Sequence, residues 1–481
     1  MRMFLDAHYD RVLHVAAVIN NNKRMTINEV SKKVGFSVPS VRKIIEELEK
    51  NELSTKNNLL VIRRKNIVGV HAKNYPVQEL SEQYIEKSVL FFMIKKLLEE
   101  GSILTDIFCL EYGISKSVFS RNKIRLKKIL QSIRLDLSPD NQILGNEWTI
   151  RSFFIKFIYN SRNLWSLDIY NNVYPILPSV CREWGIYKDN ERHFLNIVFY
   201  VMVKRIGLNC SLEDTNLKTN QIHFENTIDK IKLVSYLASK KVKFIYIELY
   251  FFIFHLRIKQ LIHNKNDIKE FDRIQSFVNS CHNEIDKAMF VTLKKELEDI
   301  RIGDSLLSEI SLLNTTIKNF YVPDNYFYYV YEESNFYSFN ETEKNFFNNI
   351  KQIVAEKIKI KKIAIFYKSF IDIFGFEELV NCFFILLYGL YVKEISINKL
   401  PLKIYIDHSK PMNNSILESK LKSIFHENIT IVRDDKYIAD LLITDYSVGG
   451  LNKNELSIAS YADNKDFQLI MTTILQLLEK R

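Results

Sequence analysis

The sequence has few of the residues that break helices and close tight turns. Its 481 residues include only 12 glycines and 8 prolines, about a third of the average usage of each. This scarcity argues against an all-β protein rich in tight turns and against a glycine-rich nucleotide-binding fold. Apolar residues make up 47% and charged residues 26%, which is typical of globular proteins. We therefore expect a mainly α chain of several domains.

Cysteines are also few, and no two of the five form a CxxC pair; they are Cys109, Cys181, Cys210, Cys281 and Cys382. Such a sparse, odd-numbered set indicates reduced thiols and no disulfide framework. Long apolar runs are missing, since the longest, Phe244–Leu256, has 13 residues and contains Glu248. It is too short to span a bilayer, and the N-terminal sequence MRMFLDAHYD lacks the apolar core of a signal peptide. We therefore expect a cytoplasmic protein that has no membrane partner.

Motifs of common catalytic sites are absent from the sequence as well. It has no P-loop, no HExxH motif, no nucleophile elbow and no cysteine–histidine set with metal-ligand spacing. We expect a protein that is not an enzyme, with no catalytic residues, no cofactor and no metal site.

Positive charge is concentrated in the first third of the chain. The net charge is +10, of which residues 1–75 carry +7 and residues 76–163 carry +3, while the remaining residues are neutral overall. A basic N-terminal third on a neutral body indicates a polyanionic partner, most simply nucleic acid. On charge alone, a basic face that serves only solubility is an equally good interpretation.

Three helices are predicted near the N-terminus, at Tyr9–Asn20, Ile27–Val34 and Val38–Lys50. Thr26 is a favourable N-cap for the second helix, and Glu29 stands three residues later, which makes a capping box. Gly35 can adopt the positive φ that ends a helix. Ser37 then caps the third helix.

The last two of these helices have the spacing of a helix-turn-helix. With Ile27 as position 1, a small residue stands at position 5, glycine at position 9, and apolar residues at positions 4, 8, 10, 15 and 18: Val30, Val34, Phe36, Val41 and Ile44. This pattern buries one face of each helix against the other. The outward face of the second helix then presents side chains that suit base edges and phosphates. These candidate DNA contacts are Ser37, Pro39, Ser40, Arg42 and Lys43.

A β-hairpin is predicted directly after this module, from LLVIRR and IVGVHA within residues 59–72. A hairpin in this place is a wing, and its tip residues Arg63, Arg64 and Lys65 would face the DNA backbone or minor groove. The alternative is a three-helix packing domain that does not bind DNA. Pattern, wing and charge together favour DNA binding.

Residues 81–160 repeat the plan, with predicted helices at Ser81–Glu100, Leu104–Tyr112 and Lys116–Ile133. When Gly113 is aligned with Gly35, positions 4, 5, 8, 10 and 15 hold Phe108, Cys109, Tyr112, Ile114 and Phe119. Position 18 holds Asn122, so the match is imperfect. The third helix is basic, and its candidate DNA contacts are Ser115, Lys116, Ser117, Ser120, Arg121 and Lys123.

A second wing is predicted from Arg134–Leu137 and Gln142–Leu144. A packing domain between the first module and the body of the protein is the alternative for this region. If both modules bind DNA, their linkage in one chain makes binding tighter than either module achieves alone.

In its order of elements the chain resembles the Mga/AtxA family of Gram-positive virulence regulators. The segment ILGNEWTIRSFFIKFIY, which closes the second module, is similar to that family's junction. The resemblance implies a mainly α multidomain protein with two winged helix-turn-helix modules, two helical phosphotransferase-system (PTS) regulation domains, or PRDs, and a C-terminal α/β domain like a PTS EIIB component. The implied domains are 1–75, 76–164, 165–266, 267–395 and 396–481.

The resemblance also implies phosphorylation sites, because PRD histidines can accept phosphate from the PTS phosphocarrier protein. In the first PRD the second histidine is His255, preceded by Glu248 and Phe251, and the first histidine is His193. The basic residue expected one to two turns after His193 is missing. Cations near in sequence could hold the phosphoryl group: Arg192, Arg205 and Arg257. The alternative is that both histidines are hydrogen-bonded core residues.

The second PRD departs from the family pattern. Leu312 lies near its first histidine position, and Ile385 lies seven residues after Glu378. No histidine occurs between His282 and His408, so this domain is not expected to receive phosphate by the usual route. Three further histidines are expected to be ordinary surface residues: His223, His263 and His282.

Residues 401–481 alternate strands with helices, which predicts a small parallel sheet. EIIB proteins carry a catalytic cysteine after the first strand, but here the loop reads DHSKPM and has no cysteine. The sequence therefore argues against a thiol phosphoryl carrier. His408 in this loop is a weak candidate for a replacement acceptor. The resemblance implies that the domain supports dimerisation.

We therefore predict a DNA-binding transcriptional regulator, an activator of virulence or colonisation genes. Its predicted partners are promoter DNA, a second copy of the chain and the PTS phosphocarrier protein. A PRD-type activator of a carbohydrate-utilisation operon would share the same modules. A PTS phosphotransfer protein of the EIIB type is an alternative from another class, against which the missing cysteine and basic N-terminal modules argue. An RNA-binding antiterminator would pair PRDs with a β RNA-binding domain instead.

Overall fold

The computed structural model describes the greater part of the chain. The described residues are 2–21, 25–51, 59–64, 67–72, 77–165, 177–184, 186, 189–212, 232–240, 242, 245–259, 268–269, 271–272, 275, 283–296, 306–322, 341–398, 401–407, 411–432, 436–444, 454–457 and 464–479. Helices predominate in them, and they fall into two units. One unit comprises 1–293 and 304–384, and the other comprises 294–303 and 385–481. The predicted mainly α, multidomain fold is confirmed.

The first module has the predicted helices and wing. Its helices are α1 (Ala7–Asn21), α2 (Ile27–Val34) and α3 (Val38–Lys50), and its strands are β1 (Met25–Thr26), β2 (Leu59–Arg64) and β3 (Ile67–Ala72). The Thr26 hydroxyl accepts from the Glu29 backbone N–H at 3.2 Å, and the Glu29 carboxylate accepts from the Thr26 N–H at 2.6 Å. Gly35 ends α2 with φ 70°. Local capping therefore fixes both ends of α2, as the sequence predicts.

The wing is a three-stranded antiparallel sheet in the order β1-β3-β2. The sequence does not predict β1, which pairs Met25 with Val70 and Thr26 with Gly69. Two residues are too short a run to show strand periodicity. The pairing joins the start of α2 to the middle of β3.

The second module comprises α4 (Val77–Glu86), α5 (Val89–Glu99), α6 (Thr105–Glu111), α7 (Lys116–Gln131) and α8 (Glu147–Asn160), with the strands β4 (Asp136–Leu137) and β5 (Ile143–Leu144). The small second wing is confirmed, since β4 and β5 pair antiparallel. The prediction of one long helix over Ser81–Glu100 is wrong. The chain is extended at Ser88, with φ −79° and ψ 130°, and the Ser88 hydroxyl donates to the Phe4 carbonyl at 2.6 Å.

Seven central helices follow, with gaps between the described segments. They are α9 (Leu177–Glu183), α10 (Asp189–Gly207), α11 (Lys232–Ser239), α12 (Ile245–Ile258), α13 (Asn283–Glu296), α14 (Leu306–Thr315) and α15 (Glu341–Ile358). A π-helical turn, Thr316–Phe320, continues α14. Residues 247–257 of α12 are all buried, so the apolar run in the sequence is a core helix, as predicted. The helices α16 (Lys361–Phe374) and α17 (Phe376–Asn398) complete this region.

The C-terminal residues form the predicted parallel sheet. Its strands are β6 (Leu402–Asp407), β7 (Ile429–Val432), β8 (Leu441–Thr444) and β9 (Asn454–Ser457), in the order β7-β6-β8-β9. The helices α18 (Pro411–Phe425) and α19 (Asn464–Glu479) pack their apolar residues against it, Leu421 and Ile474 among them. All described strand pairs of this sheet are parallel.

None of the helices in the described segments is long and apolar enough to cross a membrane. Nor do the histidine, cysteine, aspartate and glutamate side chains of these segments form a group of three that could hold a metal ion.

Candidate nucleic-acid interface and its connection to the central helices

The recognition helix of the first module is α3. Val41 and Ile44 are buried against the rest of the module, while all five candidate DNA contacts are exposed: Ser37, Pro39, Ser40, Arg42 and Lys43. Ser37 caps the helix by accepting from the Ser40 N–H at 3.4 Å. Within the described part of the chain, Arg42 and Lys43 have no ion-pair partner. Both cations are therefore available to a polyanion.

In the second module the corresponding helix is α7, and its cations are used differently. Ser115, Lys116, Ser117, Ser120 and Arg121 are exposed. Lys116 pairs with Asp106 at 2.7 Å. Lys123 is half-buried, and its ammonium donates to the Pro139 carbonyl at 2.8 Å, which holds the second wing against α7. Of these cations, Arg121 is the one best placed to contact DNA without giving up another bond.

The helix-turn-helix core of the second module is looser than that of the first. Phe108 and Phe119 are buried, with ring centroids 5.5 Å apart. Cys109, Tyr112, Ile114 and Asn122 are half-buried. Asn122 donates to the Val118 carbonyl at 3.0 Å within its own helix, so the polar residue at position 18 is satisfied without a partner on α6. Gly113 has φ 61°, as the turn requires.

The wing residues are only partly described. Arg63 and Arg64 are the last two residues of β2, and Lys65 lies outside the described residues. The roles of all three in DNA binding stay predictions.

Two protein-family models match the N-terminal third of the chain. A winged helix-turn-helix DNA-binding model matches residues 17–53, and the model of the Mga helix-turn-helix domain matches residues 73–158. We call residues 73–158, which match the Mga model, the Mga domain. The Mga match bears out the resemblance to the Mga family over the second module, and the winged model bears out the helix-turn-helix assignment of the first. Together the two matches make the chain a DNA-binding transcriptional regulator. Comparison with curated proteins gives no match.

The closing helix of the Mga domain, α8, carries a buried guanidinium. Arg151 is fully buried, and its Nη1 and Nη2 donate to both carboxylate oxygens of Glu248 on α12, one of them at 2.9 Å. Nη2 also donates to the Cys210 carbonyl at 2.8 Å. Glu248 accepts in addition from the Leu212 N–H at 3.0 Å. The pair therefore joins the Mga domain to the central helices.

A second carboxylate extends this network. Glu147 accepts from Arg151 Nε at 3.0 Å and from Arg205 of α10 at 2.9 and 2.8 Å. Burial alone would lower the pKa of Arg151, but the carboxylates of Glu248 and Glu147 raise it above its usual value. We call these four side chains, Glu147, Arg151, Arg205 and Glu248, the charge network. Its two cations and two anions balance, which is the condition for burying charge at all.

The Mga domain is also bound to the end of α14. Arg134 donates to the Ile317 carbonyl at 2.9 Å, and the Thr149 hydroxyl donates to the Asn319 carbonyl at 2.8 Å. The ammonium of Lys156 donates to the carbonyl of Val322. Carbonyls at the C-terminal end of a helix lack partners within it and carry partial negative charge. These donors from the Mga domain supply both the missing bonds and the opposite charge.

His255 lies on α12, two turns after Glu248. It is buried, and its Nδ1 is 2.9 Å from the Phe251 carbonyl, so the neutral ring carries its proton on Nδ1. Burial, with the charges of Lys156, Arg151 and Lys259, lowers the pKa of His255 to about 4, although the hydrogen bond to the Phe251 carbonyl opposes the shift. The imidazole is therefore neutral at physiological pH. His193 is half-buried in the first turns of α10.

The three arginines expected to hold a phosphoryl group have other partners. Arg205 belongs to the charge network, Arg257 pairs with Glu309 of α14, and Arg192 donates to the Ile186 carbonyl at 3.3 Å. Leu312 is buried on α14 and Ile385 is exposed on α17. His223, His263, His282 and His408 lie outside the described residues.

Sequence reasoning missed the charge network. Glu147 and Arg151 stand four residues apart in the segment ILGNEWTIRSFFIKFIY. An arginine flanked by apolar residues in a helix is rarely buried without a carboxylate partner. That signal predicts a buried pair but cannot identify Glu248, which is 97 residues away.

We predict that replacing Arg42 and Lys43 together with alanine weakens binding to duplex DNA by about tenfold or more and lowers the salt dependence of binding by about one to two units of log–log slope. The reason is the loss of two exposed cations on the recognition helix. Fluorescence anisotropy at several salt concentrations measures both quantities. The control is Lys361→Ala with Lys368→Ala, which removes two exposed cations of α16. Equal losses in both variants would contradict the assignment of α3.

We also predict that Glu248→Gln destabilises the protein by about 3–5 kcal/mol, because it leaves the buried Arg151 without its anion. The double variant Arg151→Met with Glu248→Leu should lose less, since it removes both charges and leaves Glu147 paired with Arg205. Denaturant unfolding of the full-length protein provides the comparison. Lys351→Ala, which breaks an exposed pair with Glu377, should change stability by no more than about 1 kcal/mol. A Glu248→Gln effect of that small size would show that the pair is not buried in solution.

Proposed function

We propose that this DNA-binding regulator activates virulence or colonisation genes and that histidine phosphorylation by the PTS modulates it through His255 and His193. The observation that carries the proposal is the charge network, which joins the Mga domain to the helix that bears His255. The domains 165–266 and 267–395 are the two PRDs in this proposal. A carbohydrate-operon activator remains the second candidate, because it would use the same modules. Mapping the DNA occupied in cells, together with transcript changes on deletion, separates the two.

The protonation state of His255 supports a role as phosphoryl acceptor. A neutral imidazole with its proton on Nδ1 has a lone pair on Nε2, and that nitrogen is the nucleophile. Nε2 forms the new N–P bond while the bond between phosphorus and the phosphocarrier's histidine breaks, and the carrier's imidazole leaves with the electron pair. Because His255 is buried, the transfer requires local opening around α12.

The charges around His255 give the modification a route to the DNA-binding modules. A phosphoryl group adds about −1.5 to −2 charges near Arg151 and Lys156, both of which belong to α8 of the Mga domain. The new anion competes with Glu248 for Arg151 and with the Val322 carbonyl for Lys156. Phosphorylation at His255 therefore loosens the bonds that hold the Mga domain to the central helices.

We predict that the PTS phosphocarrier, its kinase and phosphoenolpyruvate together label the protein with an acid-labile phosphoryl group. Replacing His193 and His255 with alanine together should abolish the label, and His255→Ala alone should remove the larger share. The control is His426→Ala, an exposed histidine outside the central helices, which should leave the label unchanged. Undiminished labelling of the double variant would place the acceptor at another histidine, and no labelling of the wild type would remove the PTS from the proposal.

We further propose that the regulator is a homodimer and that residues 396–481 contribute the contact. Large apolar side chains are exposed on this part of the chain, including Ile424, Leu469 and Leu475, and such side chains favour burial between subunits. Light scattering should give the mass of a dimer for the full-length protein at micromolar concentration and a smaller assembly after removal of 396–481. A full-length protein that stays monomeric would contradict the proposal.

A further inference from the structure

The first residues of the chain are buried in the Mga domain. Phe4 and Leu5 are fully buried, although they precede the first helix of the other module. The Phe4 ring lies 4.9 Å from that of Phe157 in an edge-to-face arrangement and 6.3 Å from that of Phe153, both on α8. The segment is thus a part of the first module that is packed into the core of the second.

Three successive carbonyls of this segment accept hydrogen bonds from the Mga domain. The Ser88 hydroxyl donates to Phe4 at 2.6 Å. The Arg125 guanidinium donates to Met3 at 2.7 Å and also to Leu5. Burial lowers the pKa of Arg125, and the nearby carboxylate of Asp6 opposes this shift. Because Arg125 lies on α7, the recognition helix itself contacts the segment.

Ser88 is also the residue at which the predicted long helix breaks. On one side of it, α4 packs on the first module, where Tyr84 stacks on Tyr9 at 4.4 Å and donates to Glu47 of α3 at 3.2 Å. On the other side, α5 belongs to the core of the Mga domain, where Leu90 and Ile94 are fully buried. The bend at Ser88 and the segment 3–5 therefore meet where the two modules join.

We propose that residues 3–5, held by Ser88 and Arg125, fix the distance and angle between the recognition helices α3 and α7, and so set the spacing of the two DNA segments that the protein reads. We call this set the N-terminal joint; its members are Met3, Phe4, Leu5, Ser88, Arg125, Phe153 and Phe157. The proposal rests on DNA binding by both modules. The residues of the N-terminal joint position the recognition helices α3 and α7, since none of these residues is among the candidate DNA contacts.

The bonding pattern explains why a joint of this kind is stiff. A hinge needs a segment whose backbone bonds can be exchanged with water at little cost. Here consecutive carbonyls are bonded to donors whose own positions are set by α5 and α7, and the intervening side chain is enclosed by aromatic rings. Rotation of one module against the other would break these bonds together and expose Phe4.

A rigid joint has a measurable consequence for DNA recognition. The duplex turns once in roughly 10.5 base pairs, so an insertion of about 5 base pairs moves the second segment to the opposite face. Two modules in a fixed relation cannot follow that rotation. Modules joined flexibly would tolerate the insertion but bind with lower affinity. Once one module is bound, a flexible connection gives the other module a lower effective concentration at its own DNA segment.

The first test is made without DNA. Nitroxide labels on non-natural side chains at Ser40 of α3 and Ser120 of α7, both exposed, report the distance between the recognition helices in the full-length protein. The wild type should give one narrow distance distribution by electron–electron double resonance. Phe4→Ala and Arg125→Gln should each broaden it, and Arg125→Lys should restore part of the order because it keeps one donor. Unbroadened distributions in both variants would overturn the proposal.

The second test uses duplex DNA selected by the unlabelled full-length protein from random sequences. Footprinting locates the two DNA segments that the modules bind, and base pairs are then inserted one at a time between these segments. The wild type should lose affinity at about 5 inserted base pairs and recover it at about 10. Phe4→Ala and Arg125→Gln should bind the original spacing roughly tenfold more weakly and lose the periodic dependence on spacing. An unchanged periodic dependence in these variants would overturn the proposal.

A matched variant separates positioning from charge. Lys128→Gln removes one exposed cation from the same helix as Arg125, and it should preserve both the narrow distance distribution and the dependence on spacing. A wild-type protein that binds no duplex DNA would refute the proposed function. The distance measurement would still decide whether Phe4 and Arg125 hold the modules together.

Discussion

The bidentate contact between Arg151 and Glu248 is the interaction on which the connection of the DNA-binding region to the rest of the chain depends. Both side chains are fully buried, and removing two charges from water costs several kcal/mol for each ion. The cost is offset by the attraction between the two charges and by three further hydrogen-bonding groups: the carbonyl of Cys210, the N–H of Leu212 and the carboxylate of Glu147. An arrangement that broke some of these bonds would leave a buried charge without a partner. The bonds therefore hold the Mga domain and the helix of His255 in one defined relative position.

The sequence predicts those parts of the fold that short-range chemistry determines. Both ends of α2 and the start of α3 follow from Thr26, Gly35 and Ser37, which cap helices through bonds to residues at most four positions away. The buried face of the first helix-turn-helix follows from apolar spacing in the same way. The exposed cations of α3 could be predicted for the same reason, since the apolar spacing defines the buried face and the remaining positions must be exposed.

Long-range partners decided the features that the sequence did not predict. Ser88 is a residue type that often caps a helix, but its hydroxyl donates to a carbonyl 84 positions earlier, a partner that the local sequence does not reveal. Lys116 and Lys123 look alike in a basic helix, yet one pairs with Asp106 and the other holds Pro139. The partners of Arg205 and Arg257 likewise come from distant helices. A pattern of single residues gives the charge of a side chain but not which distant group will neutralise it.

The burial of Phe4 also constrains the order in which the protein can fold as it is synthesised. The segment 3–5 leaves the ribosome before its partners, because Ser88 and Arg125 stand 84 and 120–122 residues after the carbonyls to which they donate. During that interval the apolar N-terminal residues have no site to occupy, although the helices of the first module can already form by local contacts. Domains generally fold in sequence as the chain emerges. Here the segment 3–5 reaches its packed position only when the second module closes over it, so the two modules mature as one cooperative unit.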